Sequence, residues 1–564
     1  MSIVDWVVMT GFIAFVVLYG VIKTRGTKDI DSYIRAGRKT PWWTITLSIM
    51  ATQASAITFL STPGQAYADG MRFVQFYLGL PIAMIILSVT AVPLYNKLNV
   101  YTAYEYLEKR FDLKNRTLGS LLFLSQRGLA AGFTIYAPAL ILSVILGWQL
   151  DITIILIGIA VILYTTVGGT NAVNKTHVYQ MIIITVGMFS AFIMLYYLLP
   201  DDISVIDAAY VAGKLGKLNA IDFTFDLSNR YTIWSGLIGG TFLMLSYFGT
   251  DQSQVQRYLA GSSVTESRMG LLVNGLVKVP MQFIILFIGA MVFVFYQFIT
   301  PPMFFNPVEE QNVKNSTYSS EYSELEQEYN KINSEKQNEI REMLDAIENG
   351  NESEISQEVN DVLVKNDEAA QVRENAIGLI KDANPDADTS DTNFIFITFI
   401  INFLPVGLVG LVLAAILSAS MSSTSAELNA LASTTIIDIY KRMIKKDGDD
   451  HHYLRVSKLS TVLWGIYAIL FALFASELGS LVEAVNILGS LVYGTILGIF
   501  LVAFYLKKIS GNATFYAALI AEVVVLYCYL FTSIPFLWYN VIGCLMVIML
   551  AGVLTIFLPK ATEA

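Results

Sequence analysis

Charge is scarce in this 564-residue chain: 15% of its residues are Asp, Glu, Lys or Arg, where a soluble globular domain carries about 25%. That shortage excludes an ordinary soluble enzyme and a disordered protein. The net charge of -10 also speaks against a surface built to hold nucleic-acid phosphates. Cysteine is limited to Cys528 and Cys544, both inside apolar runs, too few for a disulfide framework or a cysteine zinc site. The three histidines, His177, His451 and His452, sit near charged connectors. No HExxH, Walker A or GxSxG pattern occurs, so enzyme signatures are lacking. The first residues have neither a cationic stretch nor a small-residue cleavage site, so the first apolar run reads as a helix and not as a cleaved leader. What the chain has in quantity is apolar surface. Hydrophobic residues make up 55% of it, and the mean hydropathy is +0.56.

Runs of about 20 apolar residues, each long enough to span a bilayer as a helix, recur from end to end. Thirteen spans are expected: 4–23, 42–62, 72–95, 117–146, 151–168, 177–199, 233–256, 269–299, 404–430, 454–475, 478–505, 512–532 and 535–558. A short helix near 391–402 precedes the ninth. Basic residues collect in alternate connectors: Arg25, Lys28, Arg35, Arg38 and Lys39 in the first, and Lys97, Lys109, Arg110, Lys114 and Arg116 in the third. Lys175, Arg257 with Arg268, Lys441 with Arg442, and Lys507 with Lys508 continue the series. Basic loops face the cytoplasm, so the N-terminus is expected outside and the C-terminus inside. The expectation is an all-α multi-pass protein of the cell inner (cytoplasmic) membrane.

One segment departs from this composition. Between Pro301 and Thr392 there are 22 acidic residues against 7 basic ones, a net of -15, which leaves +5 for the remainder. It is rich in Glu, Asn, Ser and Lys and has no aromatic residue past Tyr329. Helical propensity with apolar spacing at Ile332, Ile340, Met343, Leu344 and Ile347 predicts an extracytoplasmic, partly helical insertion. The organisation is therefore read as helices 1–8 in residues 1–300, the insertion at 301–392, and helices 9–13 in 393–564, forming one domain overall.

Broken helices are tolerated in a membrane only where they line a cavity. The second span carries the small polar run Ala51-Thr52-Gln53-Ala54-Ser55-Ala56 at its centre, and an unwound turn there would offer carbonyl oxygens to a cation. Gln53 and Ser55 lie beside it. The seventh span is punctuated by Gly239, Gly240 and Gly249, with Ser246 and Tyr247 near its middle. Broken helices five spans apart are what a five-helix inverted repeat predicts, with the binding site at the midplane. The ninth span carries eight hydroxyl side chains from Ser418 to Thr434. Ser422 and Ser423 follow Ala419 by about one turn. Carbonyls from a broken helix plus two hydroxyls from a straight one suit sodium better than a divalent ion, because no carboxylate is required. Arg127 lies about ten residues into the fourth span, roughly 15 Å from its start. A charge at that depth faces a cavity or a partner.

These residues carry a resemblance. The runs GRKTPWW (37–43), TQASAITFLSTPGQAY (52–67), TAYEYLEKRF (102–111), IYAPALIL (135–142), GG (168–169), QRYLA (256–260) and SASMSSTSAELNALASTTIIDIYKR (418–442) resemble the sodium:solute symporter family, which includes sodium/glucose, sialic acid, iodide and monocarboxylate cotransporters. The resemblance covers nearly the whole chain except 301–392. It implies a LeuT-type five-plus-five inverted repeat, with spans 2–11, about 42–505, as the core of one transport domain. It also implies a main sodium site on the carbonyls of Ala51, Ala54 and Ala419 and the hydroxyls of Ser422 and Ser423. Substrate positions fall on Ser55, Thr58, Gln75 and Lys278, and the inner-gate aromatic on Tyr247. Where many members carry an aspartate for a second sodium, this chain has His177, and Ser425 is followed by Ala426 in place of a second hydroxyl. Glu427 stands next to that second-site region. The sialic-acid branch resembles this chain in using a span-4 arginine, placed about one turn later.

The function expected is sodium-coupled symport of a small organic solute by alternating access, with one sodium per solute. The solute is read by Gln53, Ser55, Thr58, Gln75, Lys278 and Arg127, whose fork is shaped for a carboxylate. That favours an organic anion over the alternative, a sugar. A channel would share the midplane polar residues but not two broken helices. A transporter-derived sensor would need a signalling module larger than residues 559–564. Sodium, the solute and the lipid bilayer are the expected partners, with no nucleic acid and no obligate protein partner.

Overall fold

The computed structural model describes residues 1–24, 30–226, 228–385, 387–474 and 481–558. Arg25 and Lys28, counted above for loop charge, and the tail 559–564 lie outside the described residues. Apolar runs become helices because a helix satisfies its backbone groups internally.

The chain opens with α1 (Ile3–Thr24) and the short α2 (Ile30–Arg35), then α3 (Trp42–Gln53) and α4 (Ala56–Asp69). A 3-10 segment, Gly70–Tyr77, leads to α5 (Leu80–Val89), α6 (Ala91–Leu98) and α7 (Tyr104–Arg110). Two long helices follow, α8 (Leu113–Leu146) and α9 (Leu150–Leu198), and then α10 (Val205–Lys214). A π-turn, Ser235–Gly239, opens α11 (Gly240–Thr250), which gives way to α12 (Gln252–Leu259) and α13 (Val264–Phe298). The acidic segment folds as α14 (Pro307–Lys314), α15 (Ser319–Asn349) and α16 (Glu352–Ala383). The chain then forms α17 (Ile395–Phe403), α18 (Leu408–Thr434) with a π-helical continuation over Thr435–Ile444, α19 (Asp450–Ala472), α20 (Leu481–Tyr505), α21 (Gly511–Phe531) and α22 (Phe536–Phe557).

The protein is all-helical. Ten segments among the described residues are long and apolar enough to cross a membrane by length and composition. The thirteen expected spans do not each become one long helix. The second is split into α3 and α4, and the seventh into α11 and α12. The fifth and sixth are joined as α9, kinked at Gly169 (φ 57°, ψ -168°). A side chain at Gly169 would suffer both the positive φ and a Cβ 2.5 Å from the Tyr33 ring.

α18 runs through the middle of the bundle, buried along almost its whole length. It packs against α1, α3, α4, α8, α9, α12 and α19. Its Ala, Ser and Thr content permits this, because small side chains let helix backbones approach closely. Apolar side chains such as Val7, Leu163, Phe189, Val523 and Ile556 are exposed on α1, α9, α21 and α22, as on faces that meet lipid. At one end of the bundle Asp438 accepts from Arg116 Nε (2.8 Å) and Thr102 Oγ1 (2.8 Å), and Glu108 holds Arg116 and Arg442.

At the other end α15 and α16 form an antiparallel hairpin with a small core of its own, including Met303, Phe304, Tyr322, Tyr329, Ala376 and Ile380. Arg373 pairs with Asp391 at 2.5 Å, and Arg341 with Asp202. Below the hairpin, Gly64 of α4 meets the Thr392 backbone so closely that a Cβ there would lie 2.0 Å from the Thr392 carbonyl oxygen.

Candidate functional site

α3 stops at Gln53. Ala54 (φ -84°, ψ 75°) and Ser55 (φ -78°, ψ 173°) leave helical geometry, and α4 restarts at Ala56. The interruption falls within the small polar run, where no bulky side chain forces the helix to continue. It sits beside the hydroxyl-rich face of α18. Ser422 Oγ lies 2.9 Å from the Ala51 carbonyl oxygen and 2.8 Å from that of Ala419, and Ser423 Oγ lies 3.1 Å from Ala419 O. Four of the five expected sodium groups are thus linked by hydrogen bonds through Ser422 Oγ and the Ala419 carbonyl. Ala54 stands at the interruption itself. All five residues are buried. The donor set is carbonyl and hydroxyl oxygen, which fits a hard monovalent cation.

The second-site region is arranged differently. His177 Nε2 lies 3.1 Å from the Ser422 carbonyl oxygen and Nδ1 lies 2.9 Å from Ser48 Oγ. Facing a carbonyl, Nε2 must carry the proton of that bond. Ser425 Oγ donates to the same carbonyl at 3.0 Å. Protein donors converge where the resemblance would put a second cation, and among the described residues no carboxylate is hydrogen-bonded to His177 or Ser425.

Beside the interruption opens a cavity of about 90 Å³. Its wall includes Thr52, Gln53, Ser55 and Thr58 from α3 and α4, Gln126, Arg127 and Thr134 from α8, Tyr247 from α11, Glu427 from α18, and Asn486 and Tyr493 from α20. Gln53, Ser55, Thr58, Arg127 and Tyr247 are therefore brought together as one lining. Tyr247 accepts from Gln254 Nε2 at 2.7 Å, and its ring lies 5.4 Å from the Arg127 guanidinium carbon.

Two expected substrate residues are not brought there. The Gln75 amide ties the 3-10 segment to a loop, with Nε2 donating to Tyr231 O (2.9 Å) and Oε1 accepting from Asp222 N (3.0 Å). Lys278 is buried on α13, outside that lining, with Nζ 5.9 Å from the centre of the Tyr77 ring. Tyr77 itself forms part of the cavity wall.

Arg127 also differs from expectation. Its fork is not free for a solute carboxylate. Nε donates to Asp251 Oδ2 at 3.0 Å and Nη1 to Glu427 Oε1 at 3.0 Å, while Nη2 meets Asp251 and the Tyr493 hydroxyl. Tyr493 donates to Asp251 Oδ2 at 2.8 Å, and Thr134 Oγ1 to Glu427 Oε2 at 2.9 Å. A buried guanidinium takes acid partners wherever the fold supplies them, and here four helices converge on it. Asp251 is also where the seventh span breaks. It has extended geometry (φ -76°, ψ 119°) and caps α12 through a bond from Ser253 N at 2.8 Å. The glycines expected to break that span lie inside α11 or its opening turn. Sequence reasoning missed Asp251, Gln126, Thr134, Asn486 and Tyr493. Asp251 had a readable signal, an acid inside an apolar span.

A family model described as the sodium:solute symporter family matches residues 33–321 and 377–521, leaving out most of the α15–α16 hairpin. The sodium/sialic acid symporter SiaT of Proteus mirabilis is 26% identical over 558 residues, covering 98% of this chain and 94% of that one. The sodium/sialic acid symporter NanT of Aliivibrio fischeri is 24% identical over 557 residues, covering 98% and 92%. The human sodium/iodide cotransporter is 32% identical over 249 residues, 44% of this chain and 38% of that one. Among solved structures, the substrate-bound outward-open state of a Na+-coupled sialic acid symporter superposes with a TM-score of 0.76 at 23% identity, covering all of both chains.

Proposed function

The chain belongs to the sodium:solute symporter family, and on that premise we propose that it imports a small polyhydroxylated organic solute with one sodium ion by alternating access. It is a sodium-coupled membrane transporter, not an enzyme. The observation that carries the proposal is the meeting of the α3/α4 interruption, the Ser422/Ser423 face of α18 and a polar-lined cavity at one place. Sodium held by Ala51, Ala54, Ala419, Ser422 and Ser423 would lock α3 and α4 to α18 and complete the cavity wall at Gln53, Ser55 and Thr58. By reciprocal linkage the solute then raises sodium affinity in turn. Tyr247 closes the cavity from the inner side, next to the break at Asp251. His177 and Ser425 both bond the Ser422 carbonyl in the second-site region, which favours a single sodium.

The transmembrane count of thirteen, the five-plus-five inverted repeat, an outside N-terminus and residence in the cell inner membrane complete the reading. Residues 301–392 form an extracytoplasmic cap.

A neutral, sugar-like solute suits the lining best. Gln53, Ser55, Thr58, Gln126 and Asn486 offer uncharged donors and acceptors, the Arg127 fork is engaged, and Glu427 would repel a carboxylate. The second reading, an organic anion such as a sugar acid, is favoured by the two sialic acid symporters that match over 98% of the chain.

The test is uptake into proteoliposomes under an inward sodium gradient with a panel of neutral sugars and sugar acids. Uptake of a neutral sugar that stops when potassium replaces sodium is the expected result. Competition by acids alone would overturn the neutral reading, and flux indifferent to sodium would overturn the whole proposal.

A further inference from the structure

The five expected sodium groups are all uncharged, so the ion's positive charge must be balanced from elsewhere or left standing in a low-dielectric interior. Among the described residues α9 offers no buried acid to balance it. His177 takes the place that an acid would fill, and nearby Arg257 hydrogen-bonds only the neutral amides of Asn174 (2.9 Å) and Gln256 (3.0 Å). Among the described residues Arg257 has no acid within ion-pair distance.

The acids buried in the described structure are Asp5, Asp251, Asp391, Glu427 and Asp438. Asp5 opens α1, Asp391 belongs to the cap, and Asp438 lies past the end of α18, paired with Arg116. That leaves Glu427 and Asp251 at the depth of the site. Both are bound to one cation, Arg127; with both carboxylates ionised, as their donors Arg127, Thr134 and Tyr493 favour, the three side chains together carry one net negative charge. Glu427 stands four residues after Ser423 on α18, which is one turn, or about 6 Å of rise. Its carboxylate also lines the same cavity as Thr52, Gln53 and Ser55, the neighbours of the Ala51 and Ala54 carbonyls. Both Glu427 oxygens are already held, by Arg127 Nη1 and Thr134 Oγ1, so the residue is fixed in place.

We infer that Glu427 is the fixed counter-charge of the transported sodium. It acts through the field and not as a ligand: the Arg127–Asp251–Glu427 cluster waits with one negative charge that sodium cancels. The inference rests on the sodium site proposed above and adds to it the group that supplies the charge. Glu427 is thus a positioning residue for sodium, and its effect follows net charge more than residue identity.

The experiment is binding of radioactive sodium to the purified full-length protein without solute. A unit charge about 8 Å away, at an effective dielectric of about 20, changes affinity by roughly tenfold to thirtyfold. Glu427→Gln makes the cluster neutral and should weaken sodium binding by that factor. Glu427→Asp keeps the charge and should stay within about threefold of the parent, on the same scale. The double variant Arg127→Gln/Glu427→Gln leaves Asp251 alone, restores one net negative charge, and should recover much of the loss. A residue needed only for packing would give the opposite order, with the double variant worst. Ser423→Ala is the companion control. If it abolishes binding while Glu427→Gln binds as the parent does, the counter-charge is wrong and the site stands; if Ser423→Ala leaves binding intact, the site itself is wrong. Equal loss in Glu427→Gln and Glu427→Asp, or a double variant as weak as Glu427→Gln, would also overturn the inference, as would loss of fold in Glu427→Gln alongside a well-folded Glu427→Asp that binds sodium poorly.

Discussion

Replacing Arg127 by leucine strands two carboxylates in the interior of the bundle. Asp251 and Glu427 are 1% and 4% exposed, and both direct their oxygens at the guanidinium. Breaking one buried ion pair by removing a partner costs about 3–5 kcal/mol, because the remaining charge keeps its desolvation penalty. Two acids depend on this arginine, so Arg127→Leu should fall at or beyond the upper end of that range. Arg127→Lys keeps the charge, but a single ammonium cannot reach α8's two partners on α12 and α18 as a planar fork does; its cost should be smaller, about 1–3 kcal/mol, the scale of an unsatisfied buried group. Adding Glu427→Gln to Arg127→Leu removes one stranded charge, so the double variant should be more stable than Arg127→Leu alone. Such a reversal is the signature of coupled sites. The assay is denaturation in detergent followed by tryptophan fluorescence, with sodium-dependent uptake measured in parallel. An Arg127→Leu protein within about 1 kcal/mol of the parent, well short of the cost of a broken buried pair, would refute the cluster.

Three further outcomes follow from the same geometry. With His177 and Ser425 both directed at the Ser422 carbonyl, the charge-to-flux ratio for a neutral solute should be one; a ratio of two would place a second sodium in the cycle. Replacing residues 315–380 by a short Gly/Ser linker removes a hairpin with its own small core and should leave uptake within several-fold of the parent, whereas loss of transport in a protein that still binds sodium would make the cap part of the mechanism. Burial pushes the Lys336 ammonium in that hairpin down to about 8, so the folded hairpin carries a penalty that is full below pH 8 and relieved as pH rises towards 10.5; Lys336→Met should therefore slow hydrogen exchange across α15 and α16 at pH 7, and unchanged or faster exchange would contradict this.

Much of the architecture is legible in composition and spacing. The interruption between α3 and α4 falls inside Ala51–Ala56 because a run of small polar residues neither packs against lipid nor holds a helix by side-chain contacts. The acidic insertion reads off its charge alone, and its apolar spacing marks Ile332, Ile340, Met343 and Leu344, all buried. Pairings over long separations are less legible. Arg127 announces a partner by its depth, but nothing local says that Asp251, 124 residues on, and Glu427, 300 residues on, are the acids that reach it. Gln75 and Lys278 lie outside the cavity lining for a related reason. Spacing places a residue on a helix but not on the cavity side of it: Lys278 lies outside the lining, with its ammonium near the ring of Tyr77, which belongs to the wall. The glycines of the seventh span misdirect because glycine also serves close packing: the break needed a side chain to cap α12, and Asp251 has one.

The central claim is that sodium is held between the α3/α4 interruption and α18. Its most direct measurement is the sodium dependence of initial uptake in proteoliposomes for the parent, Ser422→Ala and Ser423→Ala. Each variant removes one hydroxyl oxygen from a set of five, and a lost bond to a charged partner is worth about 1.5–3 kcal/mol. Half-saturating sodium should therefore rise roughly tenfold to a hundredfold, with uptake collapsing at low sodium and recovering partly at high sodium. Parental sodium dependence in both variants, with uptake still driven by the gradient, would contradict the account and put the ion elsewhere.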